Sequence, residues 1–146
     1  MLRFRSLLFA LVAATIVALP ACRRDDPAID AAIAASLRTL TVQQVVAMQA
    51  DAAAGKRSLH IYDSNEKDWY ATARVPGAKW VAFNEVAEGD LPSDKGATLV
   101  FYCANEECFA SHTAAIGAIK LGYTDVFIMP AGIMGWKRAN LPTEKG

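Results

Sequence analysis

The sequence predicts an α/β domain with a parallel sheet flanked by helices on both faces. Two observations carry this prediction. Apolar runs of strand composition alternate with segments of helical pattern from residue 40 onward, and the run Thr98-Leu99-Val100-Phe101-Tyr102 is apolar enough for a strand buried on both sides. Strand and helix alternating along one chain is the signature of a parallel sheet, and in such sheets functional sites lie beyond the carboxyl ends of strands.

The elements follow in order. Thr41-Val42-Gln43-Gln44 has the form of a capping box, and the pattern of Val45, Val46 and Met48 continues it as a helix to the stop at Gly55. Leu59-His60-Ile61-Tyr62 reads as a strand entering the turn-like Asp63-Ser64-Asn65, with a helical turn over 67–72. Val75-Pro76-Gly77-Ala78 has the composition of a tight turn and leads into a short strand over 79–83; Asp90, Pro92, Ser93 and Gly96 mark a loop. The strand over 98–102 ends at Cys103. Ser111 is the expected cap of a helix running through Ala114, Ala115 and Ile119 to Gly122, and Val126-Phe127-Ile128-Met129 is a further buried strand.

The chain of 146 residues is long enough for one hydrophobic core and too short for two. Its N-terminus reads as an address. Arg3 and Arg5 precede an apolar run from Leu7 to Leu19, which Pro20 ends short of the roughly 20 residues that a membrane span requires. Leu19-Pro20-Ala21-Cys22 resembles the lipobox of bacterial lipoproteins, with Pro20 in place of the usual small residue. That resemblance implies a signal peptide over 1–21 and lipid on Cys22, hence export to the periplasmic face of a membrane; Arg23 after the cysteine favours the outer membrane over the inner. Residues 22–38 then read as the lipidated cysteine and a tether, with a short helix from Ala28 to Leu37, and 39–146 as the folded domain.

Removing 1–21 leaves 13 basic against 15 acidic side chains, a net charge of −2, which argues against nucleic acid as a partner. With Cys22 lipidated, the domain keeps Cys103 and Cys108 in an oxidising compartment. Cys108 has three readings on these grounds: a resolving thiol for Cys103, a disulfide partner that closes the loop, or a small buried apolar side chain. His112 and His60 read as a surface and a structural histidine, Trp69, Trp80 and Trp136 as packing residues, and Lys120, Lys137 and Arg138 as solvated cations.

Four pieces, taken in order, resemble the rhodanese-like domain over nearly all of 40–142. They are the strand Leu59 to Asp63 with its terminal acid, the turn Val75-Pro76-Gly77-Ala78, the strand Val100 to Cys103 that delivers a cysteine, and Ala131-Gly132-Ile133-Met134-Gly135-Trp136 followed by Leu141-Pro142. The resemblance implies sulfur transfer. Cys103 would take a sulfane sulfur from a small donor, hold it as a persulfide and pass it to a thiol acceptor, with neither metal nor organic cofactor. The loop residues Ala104, Asn105, Glu106, Glu107, Phe109, Ala110 and Ser111 would surround the substrate, backbone N–H groups from Ala104 to Ala110 cradling the sulfur.

The sequence departs from the family pattern in three places. Ala131 replaces the first glycine of the closing motif, Cys108 stands where the sulfurtransferase loop usually carries arginine, and the loop is about two residues longer than the common form. Glu106 and Glu107 add negative charge where an anionic donor needs cations, each worth roughly 0.6 to 2 kcal/mol against an anion at ~7 Å. Lys137 or Arg138 is the candidate replacement for the missing positive charge. The alternative from another class is a catalytically silent rhodanese-like module that binds a protein partner at the membrane surface.

Overall fold

The computed structural model describes residues 26–146; the expected signal peptide over 1–21 and Cys22 lie outside the described residues. Five strands form one sheet in the order β1-β5-β4-β2-β3, every pairing parallel. They are β1 (Arg38–Thr39), β2 (Leu59–Asp63), β3 (Lys79–Trp80), β4 (Thr98–Tyr102) and β5 (Asp125–Ile128). The central strand β4 is buried along its whole length, as its near-continuous apolar run requires.

Helices cover both faces, separating two apolar cores. On one face α4 (Ala110–Lys120) lays Ala114, Ala115 and Ala118 on Tyr62, Leu99, Phe101, Val126 and Ile128. These small helix residues let α4 approach the sheet closely. On the other face α2 (Val42–Ala53) and α5 (Gly132–Arg138) bury Val42, Val45, Ile133 and Trp136 against Ile61, Val100, Tyr102 and Met129. The capping box at Thr41 is present, with its hydroxyl accepting from the Gln44 amide at 3.2 Å and the Gln44 carboxamide oxygen accepting from the Thr41 amide at 2.8 Å. A short α3 (Lys67–Thr72) follows β2.

Several elements differ from the sequence expectation. The strand expected over 79–83 is only two residues long in β3; Val81 extends the pairing by one hydrogen bond to the Asp63 carbonyl before the chain leaves the sheet. The closing motif, for which no helix was expected, forms α5. The short helix expected within the tether forms as α1 (Pro27–Ser36) and is held to α4 by a Lys120–Asp30 ion pair at 3.0 Å, whereas the pairing of β1 with β5 at Arg38 and Thr39 was not expected. Among the described residues no helix is long and apolar enough to cross a membrane.

Candidate functional site

β4 delivers Cys103 at its carboxyl end, between the ends of β2 and β5. Its backbone is fixed by the N-terminus of α5: the Ile133 amide donates to the Cys103 carbonyl at 2.9 Å and the Met134 amide to the Ala104 carbonyl at 3.0 Å. The two carbonyls thus occupy N–H groups that a helix start leaves open. This approach demands glycine at 132. Its φ is +58°, and a Cβ there would lie 2.4 Å from the Ala104 oxygen and 2.5 Å from the Cys103 oxygen. Ala131 faces no such constraint, which explains why the first glycine of the motif is dispensable here.

Asn105 then turns the loop back. Its side-chain oxygen accepts from the Glu107 amide and its carbonyl from the Cys108 amide, both at 3.1 Å. The turn returns Cys108 to Cys103, and the two are paired as a disulfide with Cα atoms 6.3 Å apart, inside the range such bonds span. The Cys103 sulfur lies 3.1 Å from the Cys108 carbonyl oxygen and 3.5 Å from Ser111 Oγ. In the dithiol form the Cys103 S–H can donate to that carbonyl. A thiolate at Cys103 would face that oxygen's lone pairs and be repelled, so it requires Cys108 to withdraw.

Two expectations are corrected. Ser111 does not cap α4: Phe109 holds that position without a side-chain hydrogen bond, and Ser111 sits buried in the first turn with its hydroxyl toward the Cys103 sulfur. The amides from 104 to 110 do not all face the sulfur, because those of Glu107 and Cys108 close the loop on Asn105.

The remaining loop residues divide by role. Glu106 forms a 3.5 Å ion pair with Arg138, so that cation neutralises the loop's own charge instead of adding to it, while Glu107 is exposed. Lys137 lines a neighbouring cavity with Trp69, Ile133 and Met134. Phe109 is 71% exposed and packs its ring on His112, 5.5 Å between centroids. Ala104, Cys108 and Ala110 line a cavity of about 140 Å³ together with Ser64, Asn65, Glu66, Trp69 and Phe83. Trp69, expected as a core or packing residue, is half exposed at this cavity; Trp136 is buried and donates to the Pro142 carbonyl. Trp80 donates to the Asn65 carbonyl at 2.8 Å. His60 contacts Ser58, and partial burial draws its pKa down.

The turn expected at Asp63-Ser64-Asn65 is part of the site, a role its turn composition does not announce. The Ser64 amide donates to the Tyr102 carbonyl, which brings the β2 end beside the cysteine loop, and the Ser64 hydroxyl is buried with no hydrogen-bond partner among the described residues. Asp63 is wholly buried. It accepts from the Tyr102 hydroxyl at 2.6 Å and from the Asn65 amide and side chain, each at 2.8 Å. Burial drives its pKa above the usual carboxylate range against the pull of these donors, and burial likewise raises the Tyr102 phenol. The available signal was positional: residues just beyond a strand's carboxyl end, next to the strand bearing the cysteine, are where a site in this architecture is built.

A parallel sheet that presents a cysteine loop from its central strand to a helix N-terminus defines a class of α/β proteins with a thiol site. Within that class the chain belongs to the rhodanese-like domain family, whose model matches residues 41–139. Solved structures agree on the fold. The BH2092 protein of Bacillus halodurans superposes with a TM-score of 0.64 at 19% identity, covering 81% of this chain and 84% of that one. The rhodanese-like domain of the Alr3790 protein from Anabaena sp. gives 0.60 at 17% identity, with coverage of 74% and 79%. A thiosulfate sulfurtransferase from Pseudomonas aeruginosa gives 0.63 at 23% identity, covering 75% of this chain but 20% of its own. No curated protein matches this chain in sequence.

Proposed function

We propose that the protein is an exported sulfurtransferase or sulfur-relay protein that carries a persulfide on Cys103, with Cys108 as its resolving thiol. The observation that carries this reading is the position of the pair: one cysteine at the end of the central strand, the other returned to it by the loop. With the dithiol form opened, the Cys103 thiolate attacks the outer sulfur of a sulfane donor. One S–S bond forms as the donor's breaks, and the rest of the donor leaves with the electron pair. A thiol acceptor then takes the outer sulfur. In its absence Cys108 attacks Cys103 Sγ, expels hydrosulfide and restores the disulfide. Donors without negative charge suit the site best, since Arg138 is already paired with Glu106 and Glu107 has no cation beside it in the loop.

Intact mass and peptide mapping test this. Reduced protein treated with a sulfane donor should gain one sulfur atom on Cys103; Cys103→Ser should abolish the gain and Cys108→Ser retain it. Absence of any sulfur gain would favour the binding-module reading, which the deep burial of Cys103 supports. The address is part of the same proposal: lipid on Cys22 holds the domain at the periplasmic face of a membrane, the outer one by the Arg23 signal. Cys22→Ala should yield unlipidated precursor, and equal incorporation of labelled fatty acid into wild type and variant would sink that part.

A further inference from the structure

The two sulfurs of the pair differ in access. Cys103 is 1% exposed and backed by β4, α5 and the Ser111 hydroxyl, whereas Cys108 is partly exposed and lines the cavity of about 140 Å³. A second observation marks that cavity as a binding place. Ser64, itself 1% exposed, lines it, and its buried hydroxyl has no partner among the described residues; a buried polar atom left unpaired is costly unless an occupant satisfies it. Trp69, 50% exposed, and Phe83, 37% exposed, form apolar walls, and Glu66 lies at the same cavity.

We infer that the protein has a second activity, thiol–disulfide exchange with a dithiol protein, in which the partner's first thiol enters this cavity and attacks Cys108 Sγ. The partner cysteine is one flanked by apolar side chains and free of nearby negative charge, matching Trp69 and Phe83 and avoiding Glu66 and Glu107. Attack forms a bond between the partner sulfur and Cys108 and breaks the Cys103–Cys108 bond, so Cys103 leaves as the thiolate while Cys108, now joined to the partner, withdraws with its carbonyl. The Ser111 hydroxyl is placed to donate to that thiolate. The partner's second thiolate then attacks its own first sulfur, displacing Cys108. The partner dithiol is oxidised to a disulfide, the protein disulfide gains two electrons, and the two thiol protons pass through solvent to the released cysteines. The Ser64 hydroxyl hydrogen-bonds the sulfur in transit. None of this requires a persulfide, and a sulfane donor is absent from the test, so the two readings fail independently.

The test uses oxidised wild-type protein and cysteamine, a small cationic monothiol, at less than one equivalent, quenched in acid and alkylated. Cleavage after Glu106 and Glu107 separates the two cysteines for mass spectrometry. Cysteamine should be found on Cys108 with Cys103 alkylated; the reverse assignment overturns the inference. Where reversal outruns the quench, the rate of opening by excess cysteamine decides. Ala110→Leu fills the cavity from the part-exposed start of α4 and should slow opening by about tenfold, equal to ~1.4 kcal/mol on the barrier. An unchanged rate in folded Ala110→Leu, judged by its circular dichroism, also overturns it.

Discussion

Single residues around the cysteine loop hold opposite electrostatic duties, and Asp63 shows this most clearly. Its carboxyl is wholly buried at the end of β2, held by Tyr102 and Asn65, and burial raises its pKa. The folded state therefore binds this proton more tightly than the unfolded chain, where the carboxyl titrates near 3.8. A group of this kind contributes stability that is full below the unfolded value and is lost as pH rises through the raised folded value. Asp63→Asn removes the titration. The stability difference between variant and wild type should thus move in the variant's favour as pH climbs from about 3.5 to 7. Urea denaturation at a series of pH values measures it, and a difference independent of pH would contradict the assignment. The acid at the end of β2 was legible in the sequence, because the strand pattern stops there; its burial was not, since that depends on Tyr102 reaching it from the neighbouring strand.

At the scale of elements, segments with a local pattern were readable and those formed only by pairing were not. β4 and the capped α2 follow from a five-residue apolar run and from a local hydrogen-bonding motif, both complete within a few residues of sequence. β1 is two residues long and owes its conformation to pairing with β5, so it leaves no trace in the sequence, while β3 was expected from the strand composition of 79–83 and is cut to two residues where its pairing with β2 ends. The α4 boundary shifted because Ser111, a good cap by type, is used instead at the cysteine sulfur. α5 is the element on which the site depends most, since its first amides fix the Cys103 and Ala104 carbonyls. Gly132→Ala forces a Cβ into those carbonyls at positive φ. It should destabilise the domain by about 2 to 4 kcal/mol, by analogy with backbone strain combined with a buried clash. The loop should be displaced with it. Thermal melting and the rate of Cys103 alkylation after reduction report the two effects; wild-type values for both would show that α5 does not position the loop.

For the molecule as a whole, the alternation of strands and helices specified a parallel sheet, yet not its order. The sheet runs β1-β5-β4-β2-β3, which puts β5 and β2 beside β4 and the two shortest strands at the edges. This order is what gathers the β2 end, the cysteine loop and the α5 N-terminus at one end of the sheet. Whether the Cys103–Cys108 bond also holds the whole domain together is then a matter of loop size. It links residues five apart, and closing so short a loop removes little freedom from the unfolded chain: the entropy relation gives about 2 kcal/mol. The two cores on either face of the sheet supply most of the remaining stability. Cys108→Ser should therefore melt close to reduced wild type and below oxidised wild type by no more than this amount. The same variant cannot expel hydrosulfide, so persulfide should accumulate on Cys103. Melting curves and persulfide yield, each measured for oxidised and reduced wild type and for Cys108→Ser, separate a resolving thiol from a structural brace. A collapse of folding in Cys108→Ser, with no gain in persulfide, would make the disulfide a brace and remove Cys108 from the chemistry.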